Sequence, residues 1–274
     1  MSDNAEHRQK WKEWREFQRD VRQYRSDDKQ RSLIHQGRKR FYRVYVPPVY
    51  SDDYLFPVVF YLHGGGGNEL NAEKMGLTKI ADKYQFILVS PAGTGASNRL
   101  PFYVWNAGVW GEGECCGYAY EKKIDDVGFI RKILAEMKAS YRIDKKSIYA
   151  TGISNGGMMS YRLACEMSDV FAAIAPVAPP AVPEPCSPQP ISVMHVIGDK
   201  DPCVKIEGGK VGGCLAKAMG MKQRIDFIAR PSQYMIDRFV TNNECENLAF
   251  ESSLNTEAHC VTYRGCKEER EVQY

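Results

Sequence analysis

Gly152-Ile153-Ser154-Asn155-Gly156 has the form G-x-S-x-G. Before it runs Ser147-Ile148-Tyr149-Ala150-Thr151, partly β-branched and aromatic, which reads as a buried strand. After it, Gly157 to Ala164 reads as a helix. A serine on a tight strand-to-helix turn is held in a strained backbone conformation, with its hydroxyl standing clear of the sheet. The flanking glycines have no Cβ to obstruct that turn. The helix N-terminus behind it favours developing negative charge. The chemistry this pattern suits is nucleophilic attack by Ser154. The plain alternative is a Gly-rich turn with an incidental serine.

A serine nucleophile needs donors for the oxyanion it creates and a base for its proton. In this plan one donor is the backbone N–H after the serine, here Asn155. The other comes from a Gly-rich loop after an early strand, here His63-Gly64-Gly65-Gly66-Gly67. Gly65 is preferred over Gly66, and His63 is expected to brace the loop. An acid should follow a later strand. Gly198-Asp199-Lys200-Asp201-Pro202 follows Ile191–Ile197, and Asp201 is preferred because Pro202 fixes its backbone, with Asp199 the alternative. No further ligand cluster accompanies this D-x-D, so no metal is expected, and no cofactor. The base should be a histidine after the acid. Of His7, His35, His63, His195 and His259, only His259 follows Asp201, and it precedes the last apparent strand. His195 lies inside a buried strand and reads as a core histidine. Tyr103, Trp105 and Trp110, in the Gly- and aromatic-rich loop 95–120, are candidates to line a substrate pocket. They equally suit loop packing.

These residues need a frame. Phe41–Val46, Pro57–Leu62, Phe86–Ser90, the strand before Ser154, Phe171–Ala175 and Ile191–Ile197 read as strands. Residues 71–84 and Asp125–Tyr141 read as helices. Residues 203–245 read as a Gly-rich loop and then a helix, and Glu271-Val272-Gln273 as another strand. Strands alternating with helices predict a mostly parallel sheet covered on both faces.

The 274 residues suit one domain with insertions, and 43% hydrophobic content is ordinary for a folded globule. Residues 8–25 read as a charged amphipathic helix with Trp11, Trp14, Val21 and Tyr24 at helical spacing and Phe17 beside them. The expectation is that this stripe docks on its own domain. A membrane-surface or partner-binding role is the alternative. Residues 26–31 read as a linker, so residues 1–37 form an arm and residues 38–274 the catalytic body. The net charge of +3 divides into +6 over residues 1–44 and −3 over the rest, so the basic character belongs to the arm. A nucleic-acid surface would need a basic face on the folded body, and no nucleic-acid partner is expected. No apolar run approaches the ~20 residues of a membrane span. The start, Met1 to Glu6, carries no apolar segment, so no signal peptide is expected in this chain. None of the nine cysteines forms a paired C-x-x-C zinc pattern. Cys165 is expected to be a buried thiol. The others sit mostly in loops, which suits disulfides.

Several stretches together resemble the poly(3-hydroxybutyrate) depolymerase and feruloyl or acetylxylan esterase group of α/β-hydrolases. They are Arg40–Pro47, Leu62–Gly66, Trp105-Asn106, Cys115–Ala119, Asp125–Ile130, Thr151–Met159, Phe171–Ala178, and Asp201-Pro202 followed by Gly208-Gly209. The resemblance covers roughly residues 38–274. It implies an α/β-hydrolase fold, Ser154 as nucleophile and Asp201 as acid. It also implies a secreted esterase, often with disulfides, acting on a polyester or a plant polysaccharide ester. Extracellular localisation rests on the resemblance, and the missing leader leaves the cytoplasm open. Two departures stand out. Lys205-Ile206 replaces the family's Pro-Tyr after Asp201-Pro202-Cys203-Val204. The family's histidine sits in a Gly-Gly-His loop after a strand like Glu271–Tyr274, and here that segment is missing. The expected activity of the chain as it stands is therefore low, and a catalytically silent binding protein of the same fold is the competing reading.

Overall fold

The computed structural model describes residues 30–96, 102–109, 117–211, 227–246, 248–255 and 258–274. Residues 8–25, His7, Trp110, Cys115, Cys116 and Cys214 lie outside them, so the expectations for the arm helix and for Trp110 are not addressed by it.

Among the described residues, twelve strands run in chain order. They are β1 (Gln30–His35), β2 (Arg38–Tyr45), β3 (Phe56–Leu62), β4 (Ile87–Pro91), β5 (Ile143–Ile153), β6 (Ala173–Val177), β7 (Ser192–Met194), β8 (Gly209–Val211), β9 (Phe227–Ala229), β10 (Ala249–Asn255), β11 (Ala258–Tyr263) and β12 (Val272–Gln273). The helices are α1 (Asn71–Lys74), α2 (Leu77–Tyr84), α3 (Gly117–Glu121), α4 (Asp126–Ser140), α5 (Asn155–Met167) and α6 (Ser232–Asn242).

Ten strands form one sheet in the order β1-β2-β4-β3-β5-β6-β7-β12-β11-β10, and β8 and β9 pair separately. The centre, from β4 to β12, is parallel. Antiparallel strands flank it, β1 and β2 on one side and β11 and β10 on the other. A parallel centre requires both strand faces to carry apolar residues, and β3 and β4 do. Val58, Phe60, Ile148, Ile174, Val193 and Val272 point to one face and are at most 2% exposed. Helices α4, α5 and α6 cover that face through Ile130, Ile133, Leu163, Ile236 and Phe239. On the other face α1 and α2 pack through Ala72, Ala81 and Leu77 on Tyr61 and Leu88, with Tyr45 and Phe86 alongside. Helices thus lie on both faces, but unevenly.

The sheet starts earlier than the sequence suggests. Residues 30–35, assigned to the linker and arm, form an edge strand paired with β2 from Gln30↔Arg43 to His35↔Arg38. The two-residue turn Gln36-Gly37 has both residues at positive φ (47° and 73°), the twist that suits a tight hairpin. The expected helix over 71–84 is two helices, broken at Gly76 with φ 76°.

Cys165 is not a free thiol. It is bonded to Cys186, and Cys245 to Cys266, each pair 21 residues apart. Closing a loop of that size contributes about 3 kcal/mol in the chain-entropy picture. Cys203 is disulfide-bonded as well, and Cys260 is free.

Candidate active site

The parallel strands end along one edge of the sheet, and Ser154, the glycine loop and Asp201 follow strands that end there. Ser154 follows β5 directly and occupies the N-cap of α5 with φ 55° and ψ −118°. That positive φ is costly for a residue with a Cβ. It is held because the Ser154 N–H donates to the Val177 carbonyl (2.8 Å) and its carbonyl accepts from Met158 N–H (2.9 Å). The two glycines are required by the packing of this turn. A Cβ on Gly152 would sit 2.6 Å from the carbonyl oxygens of both Leu62 and Gly156, and one on Gly156 only 2.1 Å from that of Leu62. The helix start is thereby pressed against the end of β3, where the glycine loop begins.

That contact brings the loop to the serine. A Cβ built on Gly64 would lie 3.8 Å from the Ser154 Cβ, and one on Gly65 would lie 3.9 Å from the Asn155 Cβ. The Gly66 N–H is occupied by the Tyr103 carbonyl (2.8 Å), and the Gly67 N–H by the Gly64 carbonyl (3.0 Å). The Gly65 N–H has no such partner among the described residues. Asn155 opens α5, where first-turn N–H groups lack an intrahelical acceptor. Two adjacent donors, Gly65 and Asn155, therefore remain beside Ser154.

Asn155, Trp105 and His63 tie the loop to the helix. The buried Asn155 side chain accepts from Trp105 N–H (2.6 Å) and donates to the Trp105 carbonyl (3.1 Å). The Trp105 indole N–H donates to the His63 carbonyl (2.9 Å). Trp105 is fully buried. Its place is inside this brace, so the assignment of Trp105 to a pocket wall gives way to loop packing. Tyr103 is likewise 3% exposed and meets the glycine loop through its backbone. Behind Trp105, Asp126 accepts from Arg40 (2.6 Å) and from Asn106 N–H (2.8 Å), and Arg162 donates to the Asn106 carbonyl (2.6 Å). Burial raises the Asp126 pKa, and Arg40 opposes that. Sequence reasoning missed this ion pair, whose members are 86 residues apart.

Asp201 follows β7 in the loop at the same sheet edge and is half-buried, whereas Asp199 is exposed. Its carboxylate accepts from Cys203 N–H (2.7 Å) and Val204 N–H (3.0 Å), which fixes the turn. The strand before it pairs over Ser192–Met194, shorter than expected, and continues as one bridge between Val196 and Val177.

None of the described histidines stands between Asp201 and Ser154. His63 is fully buried, with Nδ1–H donating to the Gly64 carbonyl (2.8 Å) and Nε2 accepting from Gly93 N–H (2.9 Å). Burial pushes its pKa down to about 4, partly opposed by the Gly64 bond. His195 is bonded through Nδ1 to Tyr161 (2.8 Å), and burial pushes it down to about 4 as well. His35 pairs with Asp125 (3.0 Å) near the first hairpin. His259 is exposed on β11, opposite Ser253. It reaches the active edge of the sheet, but four strand spacings from β5, or about 19 Å. No group of His, Cys, Asp and Glu among the described residues is placed to hold a metal ion. No described helix is long and apolar enough to cross a membrane.

Comparison with known proteins places the chain among esterases. A family model described as "Putative esterase" matches residues 36–202. The chain is 32% identical to "Putative esterase NocK" of Nocardia uniformis subsp. tsuyamanensis over 65% of its own length and 50% of NocK. It is 27% identical to "Probable feruloyl esterase C" of Aspergillus niger (strain ATCC MYA-4892 / CBS 513.88 / FGSC A1513), over 80% of this chain and 67% of that protein. It spans half the length of NocK. A solved structure described as "Crystal Structure of sOPH Native" superposes with a TM-score of 0.51 at 19% identity, covering 68% of this chain and 70% of that one. At that identity the likeness speaks for the fold.

Proposed function

Because this chain belongs to the esterase family, we propose that it carries the site of a serine carboxylester hydrolase acting through an acyl-enzyme. One observation supports this most strongly: Ser154 is held at φ 55° on a strand-to-helix turn, against a glycine loop with an unoccupied N–H. In the proposed reaction Ser154 Oγ attacks the ester carbonyl. The N–H groups of Gly65 and Asn155 hold the oxyanion, and the alcohol leaves as the carbonyl reforms. Water then cleaves the acyl-serine. Asp201 would orient the histidine that takes the serine proton, a residue we do not assign among the described ones. Disulfides in a small domain favour an oxidising, extracellular setting. The substrate class we favour is a polyester or a feruloylated or acetylated polysaccharide, in keeping with the feruloyl esterase relative.

A catalytically silent binding protein is the second reading, favoured by the positions of the four described histidines. With enzyme in excess over p-nitrophenyl acetate, methyl ferulate or poly(3-hydroxybutyrate), product release that Ser154→Ala abolishes is the expected result. Equal release by both proteins with every ester would favour the silent protein.

A further inference from the structure

Residues 104–106 form a bridge whose backbone polar groups are all held, each residue by a different part of the fold. The Val104 N–H donates to the Thr94 carbonyl (3.1 Å), and its carbonyl accepts from the Thr94 N–H (2.9 Å). Trp105 makes the same double pairing with the Asn155 side chain, at 2.6 and 3.1 Å. The Asn106 N–H donates to Asp126 (2.8 Å), and its carbonyl accepts from Arg162 (2.6 Å). Arg162 follows Asn155 on α5 by about two helical turns, on the same face. The helix therefore grips the bridge at two successive residues. Asp126 is fixed in turn by Arg40, which also donates to the Ala92 carbonyl (3.1 Å).

The same stretch carries the glycine loop. The Tyr103 carbonyl accepts from the Gly66 N–H (2.8 Å), and the Trp105 indole N–H donates to the His63 carbonyl (2.9 Å). Gly65 lies between these two pins. A Cβ built on it would stand 4.0 Å from Val104 Cγ1 and 3.9 Å from the Asn155 Cβ. The Gly64 carbonyl accepts from both the His63 ring (2.8 Å) and the Gly67 N–H (3.0 Å). A planar trans peptide points its N–H away from its carbonyl, so the Gly65 N–H is turned out of the loop. We propose that the Asn155 side-chain amide is a positioning group: by clasping Trp105 it sets the separation of the Gly65 and Asn155 N–H groups that receive the oxyanion. This rests on the esterase reading of Ser154. Gly65, Trp105 and Asn155 then form one closed circuit. An apolar side chain at position 155 opens it and leaves the N–H and carbonyl of the buried Trp105 unpaired. Moving a donor by about 1 Å costs about 10²-fold in rate.

Reaction of the full chain with an alkyl fluorophosphonate tests this. Ser154 Oγ bonds to phosphorus, fluoride leaves, the hydroxyl proton passes to water, and the phosphoryl oxygen takes the oxyanion position. The readouts are the limiting rate constant, the half-saturating probe concentration, and the fraction labelled at Ser154 by mass spectrometry. In Asn155→Ala the limiting rate constant is expected to fall about 10- to 100-fold, with half-saturation nearly unchanged. Trp105→Phe keeps a ring beside His63 and loses the indole N–H, and should fall less. The double variant should fall little further than Asn155→Ala, because both act through one circuit. A merely structural role would lower only the fraction labelled, at the wild-type rate constant, and that result would overturn the proposal. So would a double variant whose losses multiply. If Asn155→Ala fails to fold, Trp105→Phe decides: a reduced rate constant at unchanged half-saturation supports the proposal, and a wild-type rate constant overturns it. A wild-type chain left unlabelled at Ser154 would overturn the esterase reading and the proposal with it. A labelled wild type beside an equally fast Asn155→Ala would overturn the proposal alone.

Discussion

On p-nitrophenyl acetate, the 274-residue chain is expected to turn over about 10⁴ to 10⁶ times more slowly than an esterase with a complete triad. The argument is positional. A serine hydroxyl is almost wholly protonated at neutral pH and needs a base within hydrogen-bond reach. Both nitrogens of His63 are engaged, and it stays neutral above about pH 4. His195 is buried against Tyr161, and His35 is paired with Asp125. His259 lies across four strand spacings, about 19 Å from β5. The two proposed oxyanion donors, the N–H groups of Gly65 and Asn155, remain, so acylation by an activated ester should still exceed the background rate. Deacylation needs the same base to activate water, so the acyl group should persist on the serine. Steady-state release of p-nitrophenol, set beside a relative with a histidine in place, measures the deficit.

Acid should destabilise the fold well before its carboxylates are protonated. His63 and His195 are each pushed from an ordinary value of 6.5 down to about 4 by burial. The unfolded chain therefore binds more protons than the folded one between those two values. The stability that neutral, buried histidines confer is fully present above about pH 6.5 and is lost as pH falls toward 4. Two and a half pKa units correspond to about 3 kcal/mol for each histidine, a large share of the net stability of an ordinary domain, about 5–15 kcal/mol. Denaturant midpoints measured from pH 7 to pH 4 should fall steeply across this window. His195→Gln should flatten the slope by about half, because Tyr161 keeps a hydrogen-bond partner that does not titrate. A midpoint that does not change between pH 6.5 and 4.5 would contradict the burial argument.

The parts of the fold that were legible in the sequence are those whose residues announce burial. Pro57–Leu62, Phe86–Ser90 and the strand before Ser154 are apolar runs with β-branched residues, and all three lie in the parallel centre. The turn at Ser154 was legible because glycine is required where a Cβ would meet a carbonyl oxygen. The antiparallel margins were not. Gln30–His35 is mostly polar, with only Leu33 and Ile34 apolar and side by side, and its pairing with β2 makes it a strand. β10 and β11 mix polar and apolar residues without a clean apolar run, and were missed because their pairing, not their composition, makes them strands. Long-range pairings were equally silent. Cys165 reads as a core thiol until Cys186 is brought beside it. Trp105 reads as a pocket aromatic until its indole N–H is seen to donate to His63. A buried tryptophan needs such a partner, but spacing along the chain does not reveal which.

The account rests on Ser154 being an attacking group held beside its proposed oxyanion donors, with no base beside it among the described residues. Mass spectrometry of the chain after incubation with p-nitrophenyl acetate tests this most directly. The predicted result is a single acetyl group on the peptide containing Ser154 that survives for many minutes. It should be accompanied by little p-nitrophenol beyond one equivalent, and it should be absent from Ser154→Ala. Sustained release of p-nitrophenol that His259→Ala abolishes would contradict the account, as would an acetyl group found on any residue other than Ser154.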